Sequence, residues 1–213
     1  MQEPPLSAER EARRRTILQA AIECFAEQGF ASARTKDIAA RAGVAEGTIY
    51  LYFDSKDELL LTAFRETVQE FSASVERLLN DPRPFLDRLT DFIASQFVRI
   101  EQNPSLASVL LFESRQSTKF YGGSVREVLR TYANAVERLL QTGVSRGELR
   151  GDLNIPLVRR MLVGALEEVE LNWLLGDRVR PLTPLAAELA ATFVRGLERG
   201  DSPTGHPGAA VVS

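Results

Sequence analysis

Apolar side chains recur at intervals of three and four residues along almost the whole of this chain. That spacing places them on one face of an α-helix, whereas a half-buried strand requires an alternation that no segment shows clearly. The pattern breaks at glycine, proline and Asn-Asp clusters. The run NDPRP at 80–84 must interrupt a helix, because proline donates no backbone N–H. We therefore predict an all-α fold of about nine helices.

The predicted helices have recognisable first and last residues. Ser55 with Glu58 three residues later forms a capping box that opens the fourth helix. Thr35 is a natural N-cap for a short second helix, which Gly43 should end. The predicted spans are 7–28, 35–42, 46–53, 55–79, 84–101, 104–117, 123–141, 155–175 and 184–199.

Composition narrows the class of protein. The 213 residues contain one cysteine, Cys24, so an intramolecular disulfide and a thiolate metal cage are both excluded, and burial on a helix is the simplest role for it. No apolar run reaches the roughly 18 residues of a membrane span, and the charged start lacks an apolar segment behind it. We expect a cytoplasmic protein. The net charge of -3 means that any DNA binding must come from a local basic surface.

Enzyme classes find little support. The single histidine, His206, lies in the Gly-, Pro- and Ser-rich tail 200–213, which we expect to be disordered. A histidine general base, a catalytic triad or a conventional metal site therefore cannot be built in the fold. Glu167, Glu168 and Glu170 lack the Glu-x-x-His pairs of carboxylate-bridged metal bundles. No glycine-rich phosphate loop is present, and we expect neither a metal nor a cofactor.

The first sixty residues contain the spacing of a helix-turn-helix, with two short helices joined by AGVAEG. Ile38, Val44 and Ile49 can pack between the two helices. The helix at 46–53, the second of this pair, then still presents outward Thr48, Tyr50, Leu51 and Tyr52. Hydroxyl groups can donate to phosphate oxygens and aromatic rings can pack on sugars or thymine methyl groups. The alternative is that both tyrosines are core rings with solvated hydroxyls.

Residues 14–64 resemble the DNA-binding domain of the tetracycline-repressor-like (TetR) family. The motifs are A-x-x-x-F-A-E-x-G-F, T-x-D-I-A-x-x-A-G-V and G-T-I-Y-x-Y-F-x-S-K-x-E-L, in this order. The resemblance implies a helix-turn-helix domain at 7–54 and a ligand-binding and dimerisation domain at 55–199. It further implies a homodimeric repressor that binds a pseudo-palindromic operator and releases it when a small effector binds.

The same resemblance implies which residues contact DNA. A backbone contact is expected from the basic run at 13–15, although such runs are commonly solvated faces. Ala45 departs from the family, where a serine often caps the recognition helix. The neighbouring Glu46 is unfavourable beside phosphate unless it points at a base amino group or is solvated. The implied DNA-binding residues are Arg14, Thr35, Lys36, Gly47, Thr48, Tyr50, Leu51, Tyr52 and Lys56.

The remainder of the chain resembles the fatty-acid-degradation repressors of this family in two stretches, LLFESRQS and GALEEVELNWLLGD. These implied relatives respond to long-chain acyl-CoA. The predicted ligand-binding residues are Phe97, Leu110, Phe112, Arg115, Tyr132, Met161 and Trp173, with Arg115 as the cation for phosphate.

Several alternatives stay open. Arg115 can instead pair with Glu113, Glu167 or Glu168. A repressor of an efflux gene that answers to lipophilic drugs, and a helical interaction protein without DNA binding, are the other functions to weigh. The apolar stripes of the last two helices fit either a dimer interface or an intrachain core.

Overall fold

The computed structural model describes residues 8–120 and 122–198, with the backbone alone for 113–120 and 122–125. This part of the chain contains nine α-helices and no strand, which confirms the predicted fold class. The helices are α1 (Ala8–Gln28), α2 (Thr35–Ala42), α3 (Glu46–Ile49), α4 (Lys56–Leu79), α5 (Phe85–Gln102), α6 (Pro104–Phe120), α7 (Gly122–Ser145), α8 (Ile155–Leu175) and α9 (Ala186–Arg195). A short 3-10 turn, Thr183–Leu185, precedes α9. The predicted tail 200–213 lies outside the described residues.

Helix α4 begins as the capping box predicts. The Ser55 side chain accepts a hydrogen bond from the backbone N–H of Glu58 at 3.1 Å. Gly29 and Gly43 have φ of 75° and 67°, so both terminate helices in the left-handed region that favours glycine.

Several predictions about helix ends are wrong. Helix α7 ends at Ser145 rather than Gln141, and α9 spans Ala186–Arg195 rather than 184–199. Thr35 does not cap α2, because it is already the first helical residue and Arg34 occupies the cap without a side-chain hydrogen bond. Helix α3 ends at Ile49 rather than Phe53. The following four residues form turns, in which the N–H groups of Tyr52 and Phe53 both donate to the carbonyl of Ile49.

Helix α4 belongs to two hydrophobic cores. Its first half, including Leu60, Phe64 and Val68, belongs to the core that contains α1, α2 and α3. Its second half, beginning at Phe71, belongs to the core that contains α5, α8 and α9. Helices α6 and α7 also contribute residues to both cores. The predicted division between residues 54 and 55 therefore falls at the start of a helix that is common to both cores, and it stays a prediction. A displacement of α4 must disturb both parts of the molecule, because packed cores do not deform continuously.

An ion pair between Arg88 of α5 and Glu148 in the loop after α7 connects these two parts of the C-terminal bundle. Arg88 is fully buried, and its guanidinium donates to Glu148 at 2.5 Å and to the hydroxyl of Thr142 at 2.6 Å. The other oxygen of Glu148 accepts from the N–H of Phe85 at 2.7 Å. This network satisfies a charge that would otherwise be costly to bury. Among the described residues, no helix is long and apolar enough to span a membrane.

Candidate functional site

Helix α3 and the turn after it present an exposed surface of the kind predicted for DNA reading. Ile38 and Ile49 are completely buried between α2 and α3, and Val44 packs against the same core. Tyr50 and Leu51 follow directly and are 52% and 69% exposed. A tyrosine serving as a core ring would not show this exposure, so Tyr50 does not fit that alternative. Thr48 and Tyr52 are half-buried beside them, and Gly47 and Lys36 are exposed.

A hydrogen-bonded group links the first turns of α2 and α3. The Thr35 hydroxyl donates to the carboxylate of Glu46 at 2.6 Å, and the Tyr50 hydroxyl lies 3.5 Å from Thr35. Glu46, which sequence reasoning left as an unfavourable neighbour of phosphate, is therefore held by a specific donor. Glutamate in a recognition helix can accept from the amino group of cytosine, so this contact orients a group able to read a base.

Lys56 has intrachain partners that the sequence did not indicate. Its ammonium donates to the carbonyls of Phe30, Ala31 and Ala33 at 2.6, 3.3 and 3.1 Å, and lies 4.4 Å from the centroid of the Phe30 ring. An ammonium has three N–H donors, and all three are used to hold the loop between α1 and α2. A phosphate contact by Lys56 would require one of these bonds to open, and it stays a prediction.

Arg14 also has a partner within the chain. Its guanidinium donates to Glu66 of α4 at 2.8 Å and lies 5.3 Å from the ring centroid of Phe53. Its predicted phosphate contact stays a prediction, because the structure uses this cation to join α1 to α4. The neighbouring Arg13 and Arg15 are exposed. Arg10, which the sequence pattern did not indicate, also lies near this surface. Its guanidinium is 5.8 Å from the ring centroid of Tyr52 and supplies a cation at the edge of the exposed surface.

A cavity of about 160 Å³ lies between α4, α5, α6, α7 and α8. Its wall is mainly apolar. Phe64, Val68 and Phe71 of α4 contribute to it, so the cavity touches a helix that belongs to both cores. The other lining residues are Thr67, Gln96, Arg99, Ile100, Asn103, Leu106, Ala107, Leu110, Leu111, Leu129, Tyr132, Glu167 and Glu170.

Two of the seven predicted ligand residues, Leu110 and Tyr132, line this cavity. Phe97 is completely buried in the C-terminal core, outside the cavity wall. Phe112 and Met161 point outward and are 38% and 57% exposed. The side chain of Arg115 lies outside the described residues.

Trp173, another predicted ligand residue, is also remote from the wall. Its indole N–H donates to the carbonyl of Arg180 at 2.7 Å, and the guanidinium of Arg178 lies 5.9 Å from its ring centroid. It therefore fastens the loop after α8. Helical periodicity showed which side chains are apolar, but it did not distinguish the cavity wall from the solid core.

The polar groups in the cavity were missed as ligand candidates. Arg99 donates to the carbonyl of Glu70 at 3.3 Å, whereas its Nη1 is buried without a hydrogen-bond partner, and burial lowers the pKa of its guanidinium. Gln96 donates to the hydroxyl of the half-buried Tyr132 at 2.9 Å. Burial raises the pKa of this phenol, and the nearby Glu170 adds to the effect.

Glu170 is the most perturbed acid of the cavity. It is 5% exposed, and its Oε1 has no hydrogen-bond partner. Burial, with a smaller contribution from Glu167, raises the pKa of Glu170 from 4.5 to about 8. The available sequence signal was a glutamate at a buried position of the α8 stripe, four residues after Leu166 and four before Leu174. Within the described part of the chain, no cluster of three acidic, histidine or cysteine side chains could bind a metal.

Comparisons with known proteins agree with this geometry. The family model described as "Bacterial regulatory proteins, tetR family" matches residues 17–63. A second model, "YsiA-like protein, C-terminal region", matches residues 64–196. Together they cover both cores.

Individual relatives extend over most of the chain. The fatty acid metabolism regulator protein of Bacillus subtilis is 31% identical over 181 residues, which is 85% of this chain and 93% of that protein. The fatty acid degradation regulator FadR of Bacillus halodurans superposes with a TM-score of 0.81 at 31% identity, over 93% of this chain and 100% of that one. FadR of Bacillus subtilis in complex with stearoyl-CoA superposes with a TM-score of 0.79 at 30% identity, over 86% of this chain and 99% of that one.

Proposed function

This chain belongs to the tetR family of bacterial transcriptional regulators, and we propose that it is a homodimeric repressor released from its operator by a long-chain acyl-CoA. Its relatives are regulators rather than enzymes. The observation that carries the proposal is the position of α4. Its residues Phe64 and Val68 belong to the core of the helix-turn-helix and at the same time line the cavity.

The DNA contacts are assigned to the exposed surface around α3. Tyr50 and Leu51 face the major groove, with Thr48 and Tyr52 donating to phosphate oxygens at its edge. Thr35 and Lys36 approach the backbone from the start of α2, and the cations of Arg10, Arg13 and Arg15 add a local positive field. This local field is required because the chain carries a net charge of -3.

The dimer interface is assigned to α8 and the start of α9. Leu157, Met161 and Leu175 of α8 are 50%, 57% and 70% exposed, and Leu185 before α9 is 40% exposed. The buried members of the same helices, such as Leu162, are already used in the intrachain core. A two-fold dimer places two recognition helices about 34–36 Å apart, the distance between half-sites on one face of DNA.

The acyl group is assigned to the cavity. Its volume of about 160 Å³ is smaller than the ~300–1,000 Å³ of typical ligand pockets. A long chain can therefore enter only if the lining helices separate, and α4 is one of them. Among the described lining residues, Arg99 is the one cation, and it is assigned to the polar part of the ligand in addition to Arg115.

Release follows from a shift between two arrangements of α4. The apolar chain binds more tightly to the expanded arrangement, and the movement of α4 is transmitted to α1 through the Arg14–Glu66 ion pair. The two recognition helices then no longer match the half-site spacing. Ligand and operator must weaken each other by the same factor.

A second candidate ligand is a lipophilic cation, because two carboxyl groups, Glu167 and Glu170, line the cavity. In that case the protein would regulate an efflux gene. The cation Arg99 in the same wall, and the raised pKa of Glu170, both disfavour it.

The test is release of fluorescent operator DNA, selected from genomic fragments, by stearoyl-CoA, free stearic acid and a cationic dye. We expect release by the CoA thioester alone. Leu51→Ala should abolish sequence-specific binding while leaving the fold intact, with exposed Leu86→Ala as a matched control. Release by the dye alone would overturn the acyl-CoA assignment. Failure to bind any genomic fragment would favour a helical interaction protein that does not bind DNA.

A further inference from the structure

Two buried polar side-chain atoms without hydrogen-bond partners belong to residues that line the cavity. They are Oε1 of Glu170 and Nη1 of Arg99. In the described part of the chain only one other side-chain atom, the Ser72 hydroxyl, shares this condition, and Ser72 does not line the cavity. Folded proteins leave few buried polar atoms unpaired, and such atoms commonly mark a site that a ligand or water completes.

The two atoms differ in depth. Arg99 is half-buried and reaches the edge of the bundle, where it bonds to the backbone of α4. Glu170 is 5% exposed, and its charge adds to the raised pKa of Tyr132, which lines the same cavity. The most buried acid of an otherwise mainly apolar cavity is therefore a poor neighbour for the terminal methyl group of a saturated chain.

The charge state of Glu170 defines the complementary ligand. The titratable groups that interact with it are Glu167 on its own helix and Tyr132 on α7, and Arg99 on α5 lines the same cavity. Burial keeps its carboxyl protonated at neutral pH, since the pKa is about 8. A protonated carboxyl has one O–H donor and also accepts, so it matches a hydroxyl group in both directions and a keto oxygen in one.

Resting on the proposed acyl-CoA function, we propose that Glu170 is a specificity-determining residue that selects acyl-CoA thioesters whose chain carries a hydroxyl or keto oxygen. The oxygen lies against Glu170 at the inner end of the cavity, and the polar part of the ligand lies toward Arg99. A saturated chain leaves the carboxyl unpaired, and the site thereby discriminates against it, as sites built to bond a hydroxyl do.

The experiment compares dissociation constants of octadecanoyl-CoA with those of the same thioester hydroxylated at the chain end or at the third carbon. The proteins are the wild type, Glu170→Gln, Glu170→Leu and, as the control, the exposed Glu168→Gln. We expect the wild type to bind the thioester hydroxylated at the chain end at least about tenfold more tightly than the saturated one, whereas a hydroxyl at the third carbon, beside the thioester, should give no such gain. Glu170→Gln should retain part of this preference, because an amide still donates and accepts. Glu170→Leu should reverse it, and the control should keep it.

Circular dichroism and ligand-free operator binding confirm that each variant is folded. Equal dissociation constants for all three thioesters in the wild type, or a preference that survives in Glu170→Leu, would overturn the role of Glu170 and leave the proposed function standing. If no thioester binds the wild type, the proposed function itself fails, and this inference fails with it.

Discussion

Replacement of Glu170 by glutamine should make the protein more stable, by an amount that grows as the pH rises from 4.5 to about 8. The carboxyl is 5% exposed, with one oxygen unpaired, and burial raises its pKa from 4.5 to about 8. Glutamine has nearly the same shape and carries no charge at any of these pH values. The variant therefore removes the titration while it preserves the packing of α8.

The sign of the effect follows from proton linkage. Between the unfolded and folded pKa values, the folded protein keeps a proton that the unfolded chain has released, so stability falls as the pH rises. The contribution is complete below pH 4.5 and is lost as the pH rises to about 8. In this range each pH unit lowers the free energy of unfolding by about 1.4 kcal/mol. Raising the pH from 5 to 7.5 should therefore lower it by about 3 kcal/mol.

Urea unfolding of both proteins between pH 5 and pH 8, at one fixed protein concentration, measures this difference. The two free energies of unfolding should nearly coincide at pH 5 and diverge in favour of Glu170→Gln as the pH rises. The exposed Glu168→Gln on the same helix is the control and should run parallel to the wild type. A wild-type curve that also runs parallel to Glu170→Gln over this range would show that Glu170 is ionised in the folded protein and would refute the reasoning.

Three further substitutions test other parts of the structure. In Gly47→Ala the added Cβ meets no atom within 4 Å, so thermal melting should show unchanged or slightly higher stability. Fluorescence anisotropy should show at least about tenfold weaker operator binding. Unchanged binding would exclude a close approach of this backbone to DNA. Lys56→Met removes three donors and should lower stability by about 1–3 kcal/mol. A salt slope of operator binding reduced by about one phosphate would show that this ammonium also reaches DNA. Gly143→Ala places a Cβ 2.8 Å from atoms of Leu149 and Phe85. It should lower the free energy of unfolding in urea by about 1–3 kcal/mol, and Gly47→Ala is the control. An unchanged free energy of unfolding would show that these side chains repack.

Local rules accounted for most of the fold. Ser55 and Glu58 predicted the start of α4 because a cap is formed by residues three positions apart, and the structure contains that hydrogen bond. Ile38 and Ile49 were assigned to the interface of α2 and α3 because the helical period fixes which residues share a face. The exposed surface at Tyr50 and Leu51 followed by elimination. The end of α3 was misjudged because turns after Ile49 keep helix-like bonds that sequence patterns do not separate from a helix.

The sequence alone determined that this chain is helical, that it carries a helix-turn-helix, and that its family is tetR, because each of these depends on residues close together in the chain. Only the tertiary structure decided which side chains meet across it. In the tertiary structure Lys56 donates to carbonyls of the loop between α1 and α2, and Thr35 donates to Glu46. Arg99, and not Phe97, lies on the cavity wall. The physical reason is that periodicity specifies the buried face of each helix, whereas its neighbours depend on how α4 to α8 pack around one another.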